Sequence, residues 1–460
     1  MHHFNKSSSI NLVASLTLTI VLTSHRPLLL LLLLLLFCSI VASAAYLSSR
    51  PFPVFFLNYS CHQPDPEYRC TYELCEYIGM SSRQYSDESA KFMRAIYRKS
   101  GLGDETYAPP YVFQRDFNAK FKYAIIEADD GMFSVVSSLL FKLSVPTEKI
   151  SVVIVACSMF SPAPSLASRL VNRFGFRSDV KTFNLSGMGC SAGAVGMDLA
   201  VRILKRSQGY ALLVVTEATG LSWYYGDNRQ MLVTNCIFRV GAAATLLTSD
   251  PAARHAAKFE LLHNLRTHHG AEDAAYYAAF QAEDPNGSIG VSLTKDLIRV
   301  AGVALRDHIS ILAPRVLPIT ELLRYAWRVA ISVAKGESAK SDVPDFTTAF
   351  EHMCIHTGGK AVIDAVGRNM GLDDRIIEAA RMCLHRFGNT SSCLVFYELG
   401  YFEAKGRVRR GDRVWMLAFG TGFKACSVVW RALRDGNMEP DCPWRDCIHR
   451  YPVKLDFAIK

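Results

Sequence analysis

Nothing in this 460-residue sequence gathers positive charge into a stripe, although 51 basic residues outnumber 42 acidic ones. A spread-out excess of +9 argues against a nucleic-acid binder and suits an anionic membrane surface or a phosphorylated substrate. Paired CxxC spacing is missing too. Cys61, Cys70 and Cys75 in "CHQPDPEYRCTYELC" lack the arrangement of a zinc site, and no metal-type histidine pair lies near them. No dinucleotide fingerprint and no repeat of solenoid period are visible. What is present is apolar: half the residues are hydrophobic and periodic segments run along most of the chain, which excludes wholesale disorder. The length suffices for two domain-sized halves plus an appendage. The thirteen cysteines are odd in number, and several, such as Cys157 and Cys426, sit inside apolar strand-like runs as small buried hydrophobes. This usage reads as a reduced, intracellular chain.

The appendage is N-terminal. Residues 10–23 form one apolar stretch and residues 27–47, with nine consecutive leucines, a second; Ser24 to Arg26 make a polar hinge between them. About 20 apolar residues suffice to cross a bilayer core as a helix, so residues 1–47 are expected to be a membrane anchor of one or two passes. Ala42-Ser43-Ala44 also resembles a signal-peptidase site. The leucine run begins late for a signal peptide, however, and an odd cysteine would be left over in a secreted chain, so a retained anchor is the stronger reading.

Beyond the anchor, a helix is expected in "SDESAKFMRAIYRKSG", with Ser86 as N-cap and Gly101 as stop. Element types then alternate. "EKISVVIVAC", "DVKTFNLSG" and "YALLVVTEAT" read as strands, and "SPAPSLASRLVNRFG" and "SAGAVGMDLAVRILKRSQG" between them as helices. This order predicts a mostly parallel sheet covered on both faces. Polar, lysine-rich residues 331–346 form a candidate linker. After it come two helices, in "GGKAVIDAVGRNMG" and "DDRIIEAARMCLHRFG", and a strand hairpin around "GTGF". The expected division is an anchor over 1–47, a first half over 48–335 and a second over 336–460.

Cys190 follows a strand and a "SGMG" turn and precedes a helix. A helix N-terminus favours a thiolate, so its pKa is expected to be lowered. Gly187 and Gly189 allow a sharp turn, and Ser191, Ala192 and Gly193 leave room for a substrate beside the sulfur. The setting is similar to a strand-to-helix nucleophile elbow with Cys in place of Ser. The alternative for Cys190 is a small packed thiol, the role expected of most cysteines here. Partners are available in His352 and His356 of "EHMCIHTGGKAVID", His385 and Asn389 of "LHRFGNTSS", and His268 of "LRTHHGAED". The i, i+4 spacing of His352 and His356 lacks a matching third metal ligand. Taken alone, each histidine is as readily a core or solvated residue.

Together these motifs resemble the thiolase-superfamily condensing enzymes, and more closely the plant membrane-bound 3-ketoacyl-CoA synthases. "FLNYSC", "NLSGMGCSAG", "RTHHGAED", "CIHTGGKAVID", "ARMCLHRFGNTSS" and "YFEAKGRVRRGDRVWMLAFGTGFK" match that family in order, over roughly residues 46 to 451. The departures are the second histidine of "RTHHG", Ala271-Glu272-Asp273, the abrupt end at "RYPVKLDFAIK", and a cut-down first apolar stretch. The resemblance implies an α/β, thiolase-like αβαβα layered sandwich of two similar halves behind the anchor. It makes Cys190 the acylated nucleophile and His356 and Asn389 its partners in decarboxylation and condensation. His268, His352 and His385 match further histidines to which the sequence assigns no separate role.

The implied reaction is a decarboxylating Claisen condensation of a long acyl-CoA with malonyl-CoA, without metal or redox cofactor. The implied setting is the endoplasmic reticulum membrane with the catalytic domain facing the cytosol, as a homodimer, with other elongase subunits as partners and no nucleic acid. Three readings compete: a type III polyketide synthase using the same Cys/His/Asn chemistry, a catalytically inactive anchored partner of an elongase, and, more weakly, a cysteine hydrolase.

Overall fold

The computed structural model describes residues 35–39, 51–81, 84–113, 120–336, 343–356 and 358–454. Apart from 35–39, the expected anchor lies outside the described residues, and none of the described helices is long and apolar enough to cross a membrane. Residues Pro53–Lys460 form one unit. Its strands, in chain order, are β1 (Phe55–Cys61), β2 (Ile150–Ala156), β3 (Lys181–Leu185), β4 (Tyr210–Thr216), β5 (Ala242–Thr248), β6 (Phe259–His268), β7 (Ala279–Glu283), β8 (Ile289–Leu293), β9 (His352–Ile355), β10 (Arg413–Gly420) and β11 (Lys424–Ala432). Among the described residues, nine of them form one sheet in the order β3-β2-β4-β5-β1-β6-β11-β10-β9, and β7 and β8 form a separate hairpin.

The α-helices are α1 (Tyr72–Ser81), α2 (Asp87–Lys99), α3 (Phe121–Leu143), α4 (Leu166–Phe174), α5 (Ala192–Leu204), α6 (Arg229–Ile237), α7 (Asp273–Tyr276), α8 (Leu297–Val316), α9 (Ile319–Ala334), α10 (Lys360–Met370), α11 (Glu378–Phe387) and α12 (Leu394–Ala404). Ser86 caps α2 by accepting from the Ser89 N–H, and Ser165 caps α4 by accepting from that of Ser168.

The sheet is mixed, where the alternation of elements predicts a mostly parallel one. β2 runs parallel to β3 and β4, and β9 to β10, but β4–β5, β5–β1, β1–β6, β6–β11 and β11–β10 are antiparallel. A parallel return needs a crossover that packs on the sheet face and brings the chain back to the starting end. The segment after β4 does not do this. Helix α6 packs on α2 and β8, so β5 enters from the end where β4 left.

Alternation within the strands builds the layers, because successive side chains point to opposite faces. Val153, Val155, Leu212 and Val214 face outward onto α3 and α4, while Val152, Ile154, Leu213 and Val215 face inward onto α5 and α12. On the other arm of the sheet Met416, Ala418 and Val428 face the same two inner helices, and Trp415, Leu417 and Val429 pack outward on α8 and α10. Helices thus cover both arms outside and fill the space between them, a thiolase-like α/β arrangement. Strands buried on both faces must be apolar throughout, which is why they read as continuous hydrophobic runs.

The sheet passes from one arm to the other through β1 and β6, which pair at Phe55↔Glu260 and Phe56↔Phe259. Of the candidate linker, residues up to Ala334 complete α9 and Phe346 opens a 3-10 turn, while 337–342 lie outside the described residues.

Candidate active site

The inner helices α5 and α12 each open with a 3-10 turn, Gly189–Ser191 and Ser391–Cys393, and the two turns meet. Small residues make this possible. Gly189 has φ +61°, and a Cβ there would lie 2.5 Å from the Thr421 backbone nitrogen; one on Gly193 would lie 2.6 Å from the Ser392 carbonyl oxygen. Thr421, in the β10–β11 turn, also donates its hydroxyl to the Gly187 carbonyl at 3.2 Å. Gly189 against Thr421 and Gly193 against Ser392 therefore interlock three stretches of chain around one sulfur.

Cys190 is partly shielded, and Ser391 donates its hydroxyl either to the Cys190 sulfur at 3.5 Å or to Glu217 Oε2 at 3.1 Å. Burial pushes the Cys190 thiol up to about 12, with the Ser391 hydrogen bond opposing and the Glu217 charge adding to the rise. This reverses the expectation of a lowered pKa. Desolvation of the thiolate outweighs the hydrogen bonds from Ser391 and the Cys190 backbone N–H. Glu217 stands directly after β4, fully buried, and accepts the N–H groups of Ser158 and Met159 at 2.8 and 2.7 Å. Burial raises its carboxyl as well.

His356 follows β9, its N–H bonded to the Leu417 carbonyl at 2.8 Å. It is buried, its Nδ1 has no partner among the described residues, and burial lowers its pKa to about 4, so the ring is neutral at pH 7. Asn389 is held through its backbone: its N–H donates to the Ile237 carbonyl and its carbonyl accepts from the Arg239 N–H, at 3.0 and 2.9 Å. Its Oδ1 accepts from the Ser391 N–H at 2.8 Å, which leaves the Nδ2 hydrogens as the donors for a ligand. Ser391 holds φ +57°, a left-handed conformation uncommon for a residue with a side chain.

One cavity of about 1620 Å³, open mouth included, is lined by Cys190, His268, His356, Asn389 and Ser391. Apolar and aromatic side chains line it as well, from Phe280, Val291, Leu293, Leu297, Phe419 and Phe423. His268 ends β6, and its Nδ1 accepts the Gly270 N–H at 3.0 Å. Partial burial and the nearby Lys424 and Arg266 lower its pKa.

The other two histidines do not line this cavity. His352 Nε2 lies 2.9 Å from Asp412 Oδ2 with its ring against Phe402. His385 Nδ1 meets the Tyr451 hydroxyl at 3.0 Å. A second cavity, of about 860 Å³, lies between α1, α2 and α6 and touches none of the candidate residues.

Ser391 and Glu217 escape the motif reading. The available signals are an acid placed directly after an apolar strand, where α/β sheets present their ligand sites, and the serine two residues past Asn389.

Residues 46–334 match the family described as FAE1/type III polyketide synthase-like protein, and residues 347–432 match the C-terminal part of 3-oxoacyl-[acyl-carrier-protein (ACP)] synthase III. Among curated proteins the chain is 42% identical to 3-ketoacyl-CoA synthase 17 of Arabidopsis thaliana, over 99% of this chain and 95% of that protein. It is also 42% identical to 3-ketoacyl-CoA synthase 9 of the same plant, over 91% and 82%. A solved structure of 1,3,6,8-tetrahydroxynaphthalene synthase from Streptomyces coelicolor A3(2) superposes with a TM-score of 0.64 at 19% identity, covering 82% of this chain and 99% of that one. At that identity the likeness establishes the fold alone.

Proposed function

The chain belongs to the FAE1/type III polyketide synthase-like family and, within it, to the plant 3-ketoacyl-CoA synthases, and from this premise we propose that it condenses a long or very-long-chain acyl-CoA with malonyl-CoA. The observation that carries the reading is the shared cavity, which brings thiol, imidazole and carboxamide together with apolar and aromatic side chains.

The resting site is neutral. Forming a thiolate alone or an imidazolium alone in this buried place is costly, whereas forming them together offsets both penalties. Cys190 therefore gives its proton to His356 as the sulfur attacks the thioester carbonyl. The carbonyl–sulfur bond to CoA breaks, CoA leaves as its thiol with that proton, and an acyl-Cys190 thioester remains. Malonyl-CoA then loses carbon dioxide, and an N–H of neutral His356 and the Nδ2 hydrogens of Asn389 donate to the enolate oxygen. The carbanion attacks the acyl carbonyl, the Cys190 carbon–sulfur bond breaks, and the sulfur takes up one proton from solvent, the proton that the overall reaction consumes. The product is a 3-ketoacyl-CoA two carbons longer. His268 presents an Nε2 hydrogen to the same cavity and is assigned to positioning CoA thioesters. His352 and His385 are assigned to holding the scaffold.

Residues 1–47 serve as the anchor in the endoplasmic reticulum membrane, the catalytic unit faces the cytosol, and the chain works as a homodimer with other elongase subunits. The test is an assay of membranes expressing the full chain with labelled malonyl-CoA and a panel of acyl-CoAs. Wild type is expected to release carbon dioxide and form 3-ketoacyl products, and Cys190→Ala to form none. Equal product from Cys190→Ala would overturn the reading. Absence of product from both would favour an inactive elongase partner, and repeated malonyl condensation on one starter a polyketide synthase.

A further inference from the structure

Helix α9 is amphipathic in the inverted sense. Ile319, Leu323, Trp327 and Ile331 recur every four residues, which places them on one face. That face points outward: Ile319 is 69% exposed, Leu323 64%, Trp327 69% and Ile331 38%. Val333 extends the patch at 65%. The one residue of this helix that is deeply buried is an acid, Glu321, at 1%. Its carboxylate accepts the Asp345 N–H at 2.9 Å and pairs with Arg324 at 3.0 Å and Arg328 at 3.7 Å. A soluble surface helix turns its apolar stripe to the core and its charges to water. Here Leu322 packs on the core beneath α8 and the Glu321 ion pairs complete the docking, yet a second apolar stripe is left in solvent.

We propose that the outward face of α9 lies on a lipid bilayer rich in anionic headgroups, with Ile319, Leu323 and Trp327 inserted at the headgroup–acyl boundary. Size argues against a protein partner: a stable interface engages about 20–30 residues a side, and this stripe has five. A bilayer needs no complementary shape. At 16 residues, α9 extends about 24 Å, shorter than the ~30 Å hydrocarbon core, and a charged face rules out spanning. Such a helix lies in the plane of the interface. Its flanks fit that place. Arg324, Arg328 and Lys335 against the single acid Glu321 give an excess of two positive charges beside the stripe, the sign that anionic headgroups attract. Trp327 has the amphipathic ring that settles at the headgroup level. This contact is additional to any N-terminal anchor and independent of the condensation chemistry.

The test uses the full chain reconstituted in vesicles of phosphatidylcholine, with and without phosphatidylserine. A diazirine-bearing amino acid replaces Leu323 in one preparation and the exposed Arg306 of α8 in another, and photolysis products are mapped by mass spectrometry. Lipid adducts at position 323 are expected at least tenfold above those at 306, and to rise several-fold with phosphatidylserine. Adducts at 323 to a second copy or another protein, equal lipid yields at the two positions, or no response to phosphatidylserine would each overturn the proposal. Because the anchor is present throughout, an adduct at 323 reports where the helix lies, not whether the chain reaches the membrane. Acyl-CoA elongation by the same vesicles reads the condensation activity separately.

Discussion

At the scale of residues, the proposed nucleophile works against its surroundings. Burial holds the Cys190 thiol high, and Ser391 supplies the first hydrogen bond that opposes it. Removing that hydroxyl in Ser391→Ala is expected to slow alkylation of Cys190 by iodoacetamide roughly tenfold at pH 8, the size of about one pKa unit. Ser391→Gly relieves the positive φ but also lacks the hydroxyl, so equal slowing in both variants ties the effect to the hydrogen bond. Asn389 is expected to act after the acyl transfer. Asn389→Ala should still acylate Cys190, visible as a mass increase on the peptide holding it, while 3-ketoacyl product falls by about a hundredfold or more. Loss of both steps together would place Asn389 in acylation instead.

At the scale of elements, two contacts decide whether the site assembles. The first is the meeting of α5 with the turn before α12. Gly193→Ala puts a Cβ 2.6 Å from the Ser392 carbonyl, so the Asn389–Ser392 segment must move. Activity is expected to be lost with a destabilisation of about 1–3 kcal/mol, measured by denaturant unfolding. The second is α8 against β6 and β11, through His308. Its Nδ1 lies 2.9 Å from the Thr267 hydroxyl and its Nε2 2.7 Å from the Ser427 hydroxyl, which already accepts the Trp415 indole N–H. Burial lowers the His308 pKa to about 4. His356 is lowered equally. From about pH 6.5 downward the unfolded chain binds protons that these folded histidines refuse, so stability falls as pH drops toward 4 and is unaffected above about 7. Each histidine contributes a loss on the order of 3 kcal/mol at the acid end. His308→Gln is expected to flatten the dependence of the melting temperature between pH 7 and 5. An unchanged slope would remove His308 as its source.

At the scale of the whole molecule, the two arms of one sheet place the ends of two inner helices against each other, and the proposed catalytic groups come from both arms. Cys190 stands more than 160 residues from His356 and nearly 200 from Asn389, so neither arm holds the chemistry alone. Separate expression of 48–335 and 336–460 is expected to give no activity from either piece. It also cuts the pairing of β6 with β11, so each piece should expose apolar surface, read by dye binding. A soluble, active fragment of either kind would refute the shared-sheet account.

How much of this was legible in the sequence depends on range. Continuous apolar runs, Ser86 before its helix, and glycines around Cys190 act over a few residues, and the elements they imply are present. The residues Cys190, His356 and Asn389 are marked by their motifs, and their meeting is a product of the fold. Strand direction was decided by where α6 packs, a contact between segments far apart in the chain. The same holds for Cys190, whose local helix end favours a thiolate while the burial that prevails is assembled from α12, β4 and the β10–β11 turn. His352 and His385 share the chain neighbourhood of site residues, yet their partners Asp412 and Tyr451 draw them elsewhere. Local chemistry is written residue by residue and determines elements and candidate groups. Desolvation, pairing and direction are sums over distant neighbours, and only the packed structure could decide them.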